Sequence, residues 1–386
     1  MGATASINAG KRLWRTSPMA CASLTILAAY WAIASMVLML DPYDIYPWGK
    51  PTSIDSANLT DDNMLLVAAV AKNPRIDLLM IGSSTAIHYS GDDLRGAFPG
   101  SRYPFNLSYY AVRPLDRALT MATVARYSRA KKLIVWLDWS YSLPERTKLP
   151  VFPAFMYDET WFSGLRVVNY TSLKVCLRLL RGVPIFPDFQ KRLADENADL
   201  QAEYAVFQTR KSREQLAALV NRYRPIIDRP GKMACSALPG LMSGLIAPLR
   251  TWIRPSRSID IVIPAYSPAF YYVRGDSGSG LNLADQLTLR RCVFQETASM
   301  ANVRIIALDA DKLLTDDPKN YVDSAHLFGP RALNIALGDI AQGRYLLTSQ
   351  NIEHYLAELR QRVVNYQVDV QTTGLAVHTG RQGGPP

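Results

Sequence analysis

The feature that most limits what this chain can fold into is the segment Ile76-Asp-Leu-Leu-Met-Ile-Gly-Ser-Ser-Thr85. Its apolar run shows no in–out alternation, so it reads as a strand buried on both faces. It stops at Gly82-Ser83-Ser84, where glycine permits a tight turn that presents a hydroxyl. Similar runs follow at Pro104–Leu107, Leu133–Leu137, Ile259–Ile263 and Val303–Leu308. Helical patterns lie between them at Leu115–Tyr127 and Leu283–Ser299, and a closing helix is expected at Arg331–Ile340. Short apolar strands separated by helices predict a parallel sheet covered on both sides, a three-layer α/β/α domain. In such sheets ligands and chemistry gather at the carboxyl ends of the strands, which is where Gly82-Ser83-Ser84 falls.

Residues 144–256 break this rhythm with several prolines and a charged helical stretch over Phe189–Tyr223. They read as a mostly helical insertion between two core strands, which caps the site or docks a partner. Residues 41–75, with Asp-Pro, Tyr-Pro and Lys-Pro steps and a short helical pattern from Asp61 to Ala71, form a tether. The domain proper is expected over residues 76–345, with a C-terminal helix and a disordered tail over 346–386.

The N-terminus sets the compartment. Met19–Leu40 holds no charged side chain over 22 residues, and at helical rise that spans a hydrocarbon core of roughly 30 Å. Lys11, Arg12 and Arg15 precede it, with no acidic residue; Asp41 and Asp44 follow. Basic flanks stay cytoplasmic, so residues 1–18 are expected inside, 19–40 across the membrane, and the rest outside. A cleaved signal peptide is the alternative, although its apolar region is usually only about 7–15 residues long. The formal charge is +10, of which residues after 40 carry +7. A basic surface of that size suits an anionic glycan or a membrane, or is simply solvated. No nucleic-acid motif is present. Of the four cysteines, Cys21 lies in the apolar span. Cys176, Cys235 and Cys292 lack metal-ligand spacing, and one bridge among them is open to any pair.

A second motif, Tyr321-Val-Asp-Ser-Ala-His326, puts a carboxylate three residues before an imidazole, just ahead of a helix. Ser84, His326 and Asp323 together supply what a serine nucleophile needs: an attacking hydroxyl, a base, and a group that orients the base. Only four histidines occur, at 88, 326, 354 and 378. His88 lies four residues after Ser84 and would share its face if a helix began at the turn. It is then either a substrate contact or an ordinary polar residue of that helix. Thr85 either bonds substrate or caps the same helix. Tyr109, Tyr110, Trp136, Trp139 and Tyr141 are read either as a platform for sugar rings or as packing. Asp92-Asp93 has no partner at ligand spacing, so no metal is assigned.

These motifs resemble the SGNH/GDSL hydrolase superfamily. The likeness is to its membrane-anchored bacterial branch, similar to alginate O-acetyltransferase-type proteins, and covers residues 76–142 and about 257–342. Gly82-Ser83-Ser84 matches the first block, so the resemblance makes Ser84 the nucleophile. Asp323-Ser-Ala-His326 matches the last, making His326 the base and Asp323 its orienter. Phe105-Asn106-Leu-Ser-Tyr-Tyr-Ala111 resembles the second block, which implies oxyanion roles for Asn106 and the Ala111 amide, with Ala111 or a tyrosine where the family has glycine. Val135-Trp-Leu-Asp-Trp-Ser140 lacks the third-block asparagine, and Asp138 stands nearby. A carboxylate donates no hydrogen bond unless protonated.

The resemblance implies a flavodoxin-like SGNH fold after one transmembrane helix, in a single-pass protein of the bacterial inner membrane with its domain in the periplasm. The function implied is serine-dependent O-acyl transfer, with acetyl the expected group, to a surface or secreted polysaccharide. The implied partners are a membrane-bound O-acyltransferase or polysaccharide synthesis proteins, without cofactor or nucleic acid. A carbohydrate or lipid esterase of the same fold, or a non-catalytic scaffold in a polysaccharide synthesis complex, are the alternatives.

Overall fold

The structure is a computed structural model that describes residues 18–40, 67–108, 114–142, 173, 176–177, 180–181, 210–231, 234–235, 238, 241–276, 282–321, 324–327 and 329–368. The chain forms two compact units. One comprises Met1–Ile54 with Pro153–Pro187, and the other Asp55–Phe152 with Asp188–Pro386. In the first, α1 (Pro18–Leu40) is a continuous helix. Its Cys21–Leu40 portion has a mean hydropathy of 1.9, long and apolar enough to cross a membrane, a test that a signal sequence also meets. The hydroxyl of Thr25 bonds back to the Cys21 carbonyl at 2.9 Å, so this polar group is satisfied within the helix.

The second unit begins, among its described residues, with α2 (Val67–Lys72). It then alternates β1 (Leu78–Ile81), α3 (Gly91–Ala97), β2 (Pro104–Asn106), α4 (Pro114–Tyr127) and β3 (Lys132–Trp136). After the insertion, with α5 (Arg210–Ile227) and α6 (Ala247–Trp252), come β4 (Ser258–Ile263), α7 (Pro268–Asp276), α8 (Leu283–Thr297) and β5 (Val303–Ala307). Short α9 (Lys312–Thr315), α10 (Pro330–Gln342) and α11 (Ile352–Val364) are the last helices among the described residues. The five strands are all parallel and lie in the order β2-β1-β3-β4-β5, the flavodoxin-like doubly wound arrangement. Each expected strand is present, and the ends differ by at most two residues. β1 begins at Leu78, although the Asp77 backbone already bonds to both neighbours, its amide to the Tyr103 carbonyl and its carbonyl to the Lys131 amide, while its side chain accepts from the Arg102 and Tyr103 amides.

Both faces of the sheet are largely buried, which is why its strands carry near-continuous apolar runs, interrupted at Asp260 of β4 and Arg304 of β5. On one face Leu78, Met80, Ile134, Trp136, Val262 and Ile306 meet Ala332, Ala336, Leu337 and Ile340 of α10. Burying each such aliphatic side chain contributes roughly 1.5–3 kcal/mol. Asp260, wholly buried in β4, is held by a two-point bond from Arg304 and an ion pair with Lys132.

Within the second unit, two helices of the insertion pack on the core. α5 lies against α7, α6 against α4, and a disulfide between Cys235 and Cys292 ties the insertion to α8. Of the charged stretch expected over Phe189–Tyr223, residues 189–209 lie outside the described residues, and α5 runs on to Ile227. The C-terminal helix belongs to the same unit. Tyr355 of α11 donates to Asp309 at 2.7 Å, and Arg290 of α8 pairs with the same carboxylate at 2.8 Å, all three groups buried. A buried charge pair needs such further hydrogen bonds to offset its desolvation. The tail from residue 369 lies outside the described residues.

Candidate active site

β1 delivers Ser84. After Ile81 the chain turns at Gly82, where an added Cβ would lie 2.6 Å from the Ala86 Cβ, 2.9 Å from the Trp136 Cβ and 3.0 Å from the Ser108 hydroxyl. Any side chain there would force the turn away from β3, so glycine is required by close approach. Ser84 opens a single 3₁₀ turn, Ser84–Ala86, closed by the Ala86 amide donating to the Ser83 carbonyl at 2.9 Å. Ser83 and Thr85 on either side are buried, whereas Ser84 stays partly open.

The turn is clamped by Asn106 at the end of β2. Its amide nitrogen donates to the Ala86 carbonyl at 2.7 Å and the Tyr89 carbonyl at 2.8 Å, and its oxygen accepts from the Ser108 amide at 3.0 Å. A side-chain amide has two hydrogens, and both are engaged here. Asn106 thus holds the serine turn in place in this arrangement rather than pointing a free donor at substrate. The expected helix does not begin at the turn. It starts at Gly91, where Ser90 forms a capping box with Asp93. Thr85 therefore caps no helix; its hydroxyl lies 3.3 Å from that of Ser83. His88 sits in the connecting turn and is buried, not on a helix face shared with Ser84.

His326 comes from the opposite side of the chain. Tyr321 and Leu327 form an antiparallel bridge that pinches off the loop carrying the imidazole. The Tyr321 hydroxyl, fully buried, donates to the Ala265 carbonyl at 2.6 Å, and the Ser267 amide donates to the Ser324 carbonyl at 3.3 Å. These bonds fasten the loop to the carboxyl end of β4. Gly329, at φ 85°, then bends the chain into Pro330 at the start of α10, a left-handed conformation that favours glycine. The outcome is an Nε2–Oγ separation of 2.8 Å between His326 and Ser84, across 242 residues of sequence. That is hydrogen-bond reach for proton transfer from the hydroxyl to the imidazole. Asp323 and Ala111 lie outside the described residues, as do Tyr109 and Tyr110.

Asp138, just beyond β3, is 1% exposed and pairs with Arg117 of α4 at 2.7 Å. The guanidinium also lies 4.0 Å over the Tyr141 ring. A carboxylate in such a pair is an acceptor, so this position offers an oxyanion no hydrogen bond. Burial pushes the Tyr141 hydroxyl well above its ordinary pKa, with Arg117 opposing and Asp138 adding to the shift. Trp136 and Tyr141 are buried, so of the described aromatics proposed as a sugar platform only Trp139 keeps partial exposure. The Trp139 amide donates to the Tyr266 hydroxyl at 3.1 Å. Arg117 and Tyr266 carry no motif, and only the tertiary contacts reveal them. Among the described residues no group of three or more His, Cys, Asp or Glu side chains is arranged to hold a metal.

No protein-family profile matches this chain, and no curated protein matches it. A solved structure provisionally named a platelet activating factor, from Streptococcus pneumonia, overlaps it with a TM-score of 0.36 and 12% identity over 73% of this chain and 92% of the other.

Proposed function

We propose that the chain is an SGNH-type serine acyltransferase that works outside the cytoplasm on a cell-surface or secreted polysaccharide. The observation that carries this reading is the 2.8 Å contact between Ser84 Oγ and His326 Nε2, at the carboxyl end of a parallel sheet, the end where such folds place their chemistry. His326 takes the hydroxyl proton as Ser84 attacks the carbonyl carbon of an acyl donor. The donor's leaving group departs with that proton, and an acyl-serine remains. A sugar hydroxyl then gives its proton to His326, attacks the acyl carbon and frees Ser84. Asp323, three residues before His326, is the carboxylate that orients the imidazole in this scheme. The Cys235–Cys292 disulfide supports an oxidising compartment, in keeping with α1 as an anchor and the second unit in the periplasm. A membrane-bound O-acyltransferase or polysaccharide synthesis proteins are the partners this scheme calls for.

The test is labelling of the full chain in neutral detergent with a fluorophosphonate, followed by turnover of a chromogenic acetyl ester with and without an acceptor oligosaccharide. Labelling is expected at Ser84 and lost in Ser84→Ala, with label incorporation falling by about 10³ or more in His326→Ala. Ester turnover is expected to rise with oligosaccharide, with acetyl appearing on the sugar. Turnover indifferent to sugar would make the protein an esterase, and absence of labelling in the folded wild type would remove the catalytic reading altogether.

A further inference from the structure

Because all five strands are parallel, every loop that enters a strand lies on one edge of the sheet. The loops entering β1, β2, β3 and β4, residues 73–77, 98–103, 128–131 and 253–257, contain Arg75, Arg102, Arg129, Lys131, Arg254 and Arg257. Their one acid, Asp77, is turned inward to the Ser101 hydroxyl and the Arg102 and Tyr103 amides. The opposite edge is the reverse. Its described loop residues, 82–90, 107–108, 137–142, 264–267 and 308–311, hold three aspartates and neither lysine nor arginine. Among the described loop residues, basic charge is thus gathered at the sheet edge remote from Ser84, while Asp138 and Asp309 at the other pair with Arg117 and Arg290 of the helices.

The basic loops form a continuous rim. Strand order sets them side by side at about 4.8 Å per strand. Backbone bonds join them: Asp77 to the Tyr103 carbonyl at 3.3 Å, Lys131 to the Asp77 carbonyl at 2.8 Å, and Ser258 to the Lys131 carbonyl at 2.9 Å. All six cations but Arg257 are exposed. Tyr103, 54% exposed beside Arg102, adds an aromatic of the kind that settles at lipid headgroup level. A pocket of about 420 Å³ indents the rim, lined by Phe98, Ser101, Lys131 and Lys132 together with Asp77.

We propose that this rim docks on anionic phospholipid headgroups, presenting the Ser84–His326 end of the sheet to the aqueous side. Lipid is favoured over an anionic glycan by the chain itself. It carries a helix of bilayer length at Cys21–Leu40, and the first described element after that helix, α2, ends at Lys72 and opens directly into the first basic loop. Each Lys or Arg near an anionic surface raises partitioning about fivefold, so six suffice to hold a domain that is already tethered. The proposal does not depend on the role given to Ser84.

The full chain is reconstituted into nanodiscs of phosphatidylcholine, alone or with phosphatidylglycerol, and amide hydrogen exchange is followed in residues 98–103, 128–131 and 253–257. Exchange there is expected to slow about tenfold with phosphatidylglycerol, and the slowing to vanish in high salt, where the screening length falls to about 3 Å. Arg129→Glu/Lys131→Glu/Arg254→Glu is expected to abolish it while exchange in β1–β5 and fluorophosphonate labelling stay unchanged. Should that variant fold poorly, Arg129→Gln/Lys131→Gln is expected to halve the effect or more. Equal exchange in the two lipids, or slowing that survives both substitutions, overturns the proposal. So does slowing produced by soluble polygalacturonate but not by phosphatidylglycerol, which would assign the rim to an acidic glycan. A chain whose apolar helix fails to insert still reports on the rim: salt-labile binding to the anionic discs supports it, and binding to neither overturns it.

Discussion

Asp138→Asn would install, just beyond β3, the side-chain type that SGNH-like proteins carry in their third block, and it is expected to damage the protein instead of improving it. Arg117 and Asp138 are 3% and 2% exposed at their side chains and 2.7 Å apart. The asparagine keeps the shape but removes the negative charge, leaving the guanidinium buried against a neutral partner. Removing one member of a buried pair costs about 3–5 kcal/mol. The contact of the guanidinium with the Tyr141 face is present in both proteins and offsets none of this, so the net expectation is a loss of about 3–5 kcal/mol. Arg117→Met alone should cost a similar amount, whereas Arg117→Met/Asp138→Asn, which removes both charges, should lie within about 1 kcal/mol of the wild type. Urea unfolding of the full chain in neutral detergent, followed by the fluorescence of buried Trp136 and Trp252, measures all four proteins as a double-mutant cycle. Additive losses, with a coupling under about 0.5 kcal/mol, would refute the claim that the two charges hold one another in place. An Asp138→Asn protein of unchanged stability would refute it equally.

Two further outcomes follow from the same structure. The Cys235–Cys292 bridge closes a loop with a sequence separation of 57, so Cys235→Ser/Cys292→Ser should lose about 4 kcal/mol by chain entropy; an unchanged urea midpoint, or one that reductant shifts equally in both proteins, would contradict that. Asp339 has its pKa raised to about 6, chiefly by burial and then by Asp311, with Arg344 opposing. The folded state therefore binds its proton more tightly than the unfolded state does, and stability falls as pH rises from about 4 to about 6. Asp339→Asn should gain about 1–2 kcal/mol at pH 7 relative to its gain at pH 4. Parallel stability–pH curves for variant and wild type would show that the carboxyl carries no such strain.

The sheet is legible in the sequence because a strand buried on both faces is apolar at nearly every position, a purely local signature. All five apolar runs became strands within two residues of their expected ends. The Gly82-Ser83-Ser84 turn was legible for a similar reason, since glycine is required where the backbone approaches Trp136 so closely. The length of α1 was equally plain from its lack of charge. The start of the next helix is less plain: the serine turn stays a single 3₁₀ turn, and a capping box between Ser90 and Asp93 opens the helix only at Gly91.

What tertiary structure alone decided is which distant groups meet. Sequence nominated Ser84 and His326 separately; the 2.8 Å between them depends on a loop fastened to β4 by Tyr321 and Ser267. Cys292 of α8 pairs with Cys235, a choice among the cysteines that sequence spacing leaves open. Asn106 turned inward to clamp the turn, and Asp138 found Arg117, a residue no motif marks. Periodicity along a chain reports burial one element at a time. The partner of a buried charge or amide is set by how a helix registers on a sheet, and that register is a property of the whole packed domain.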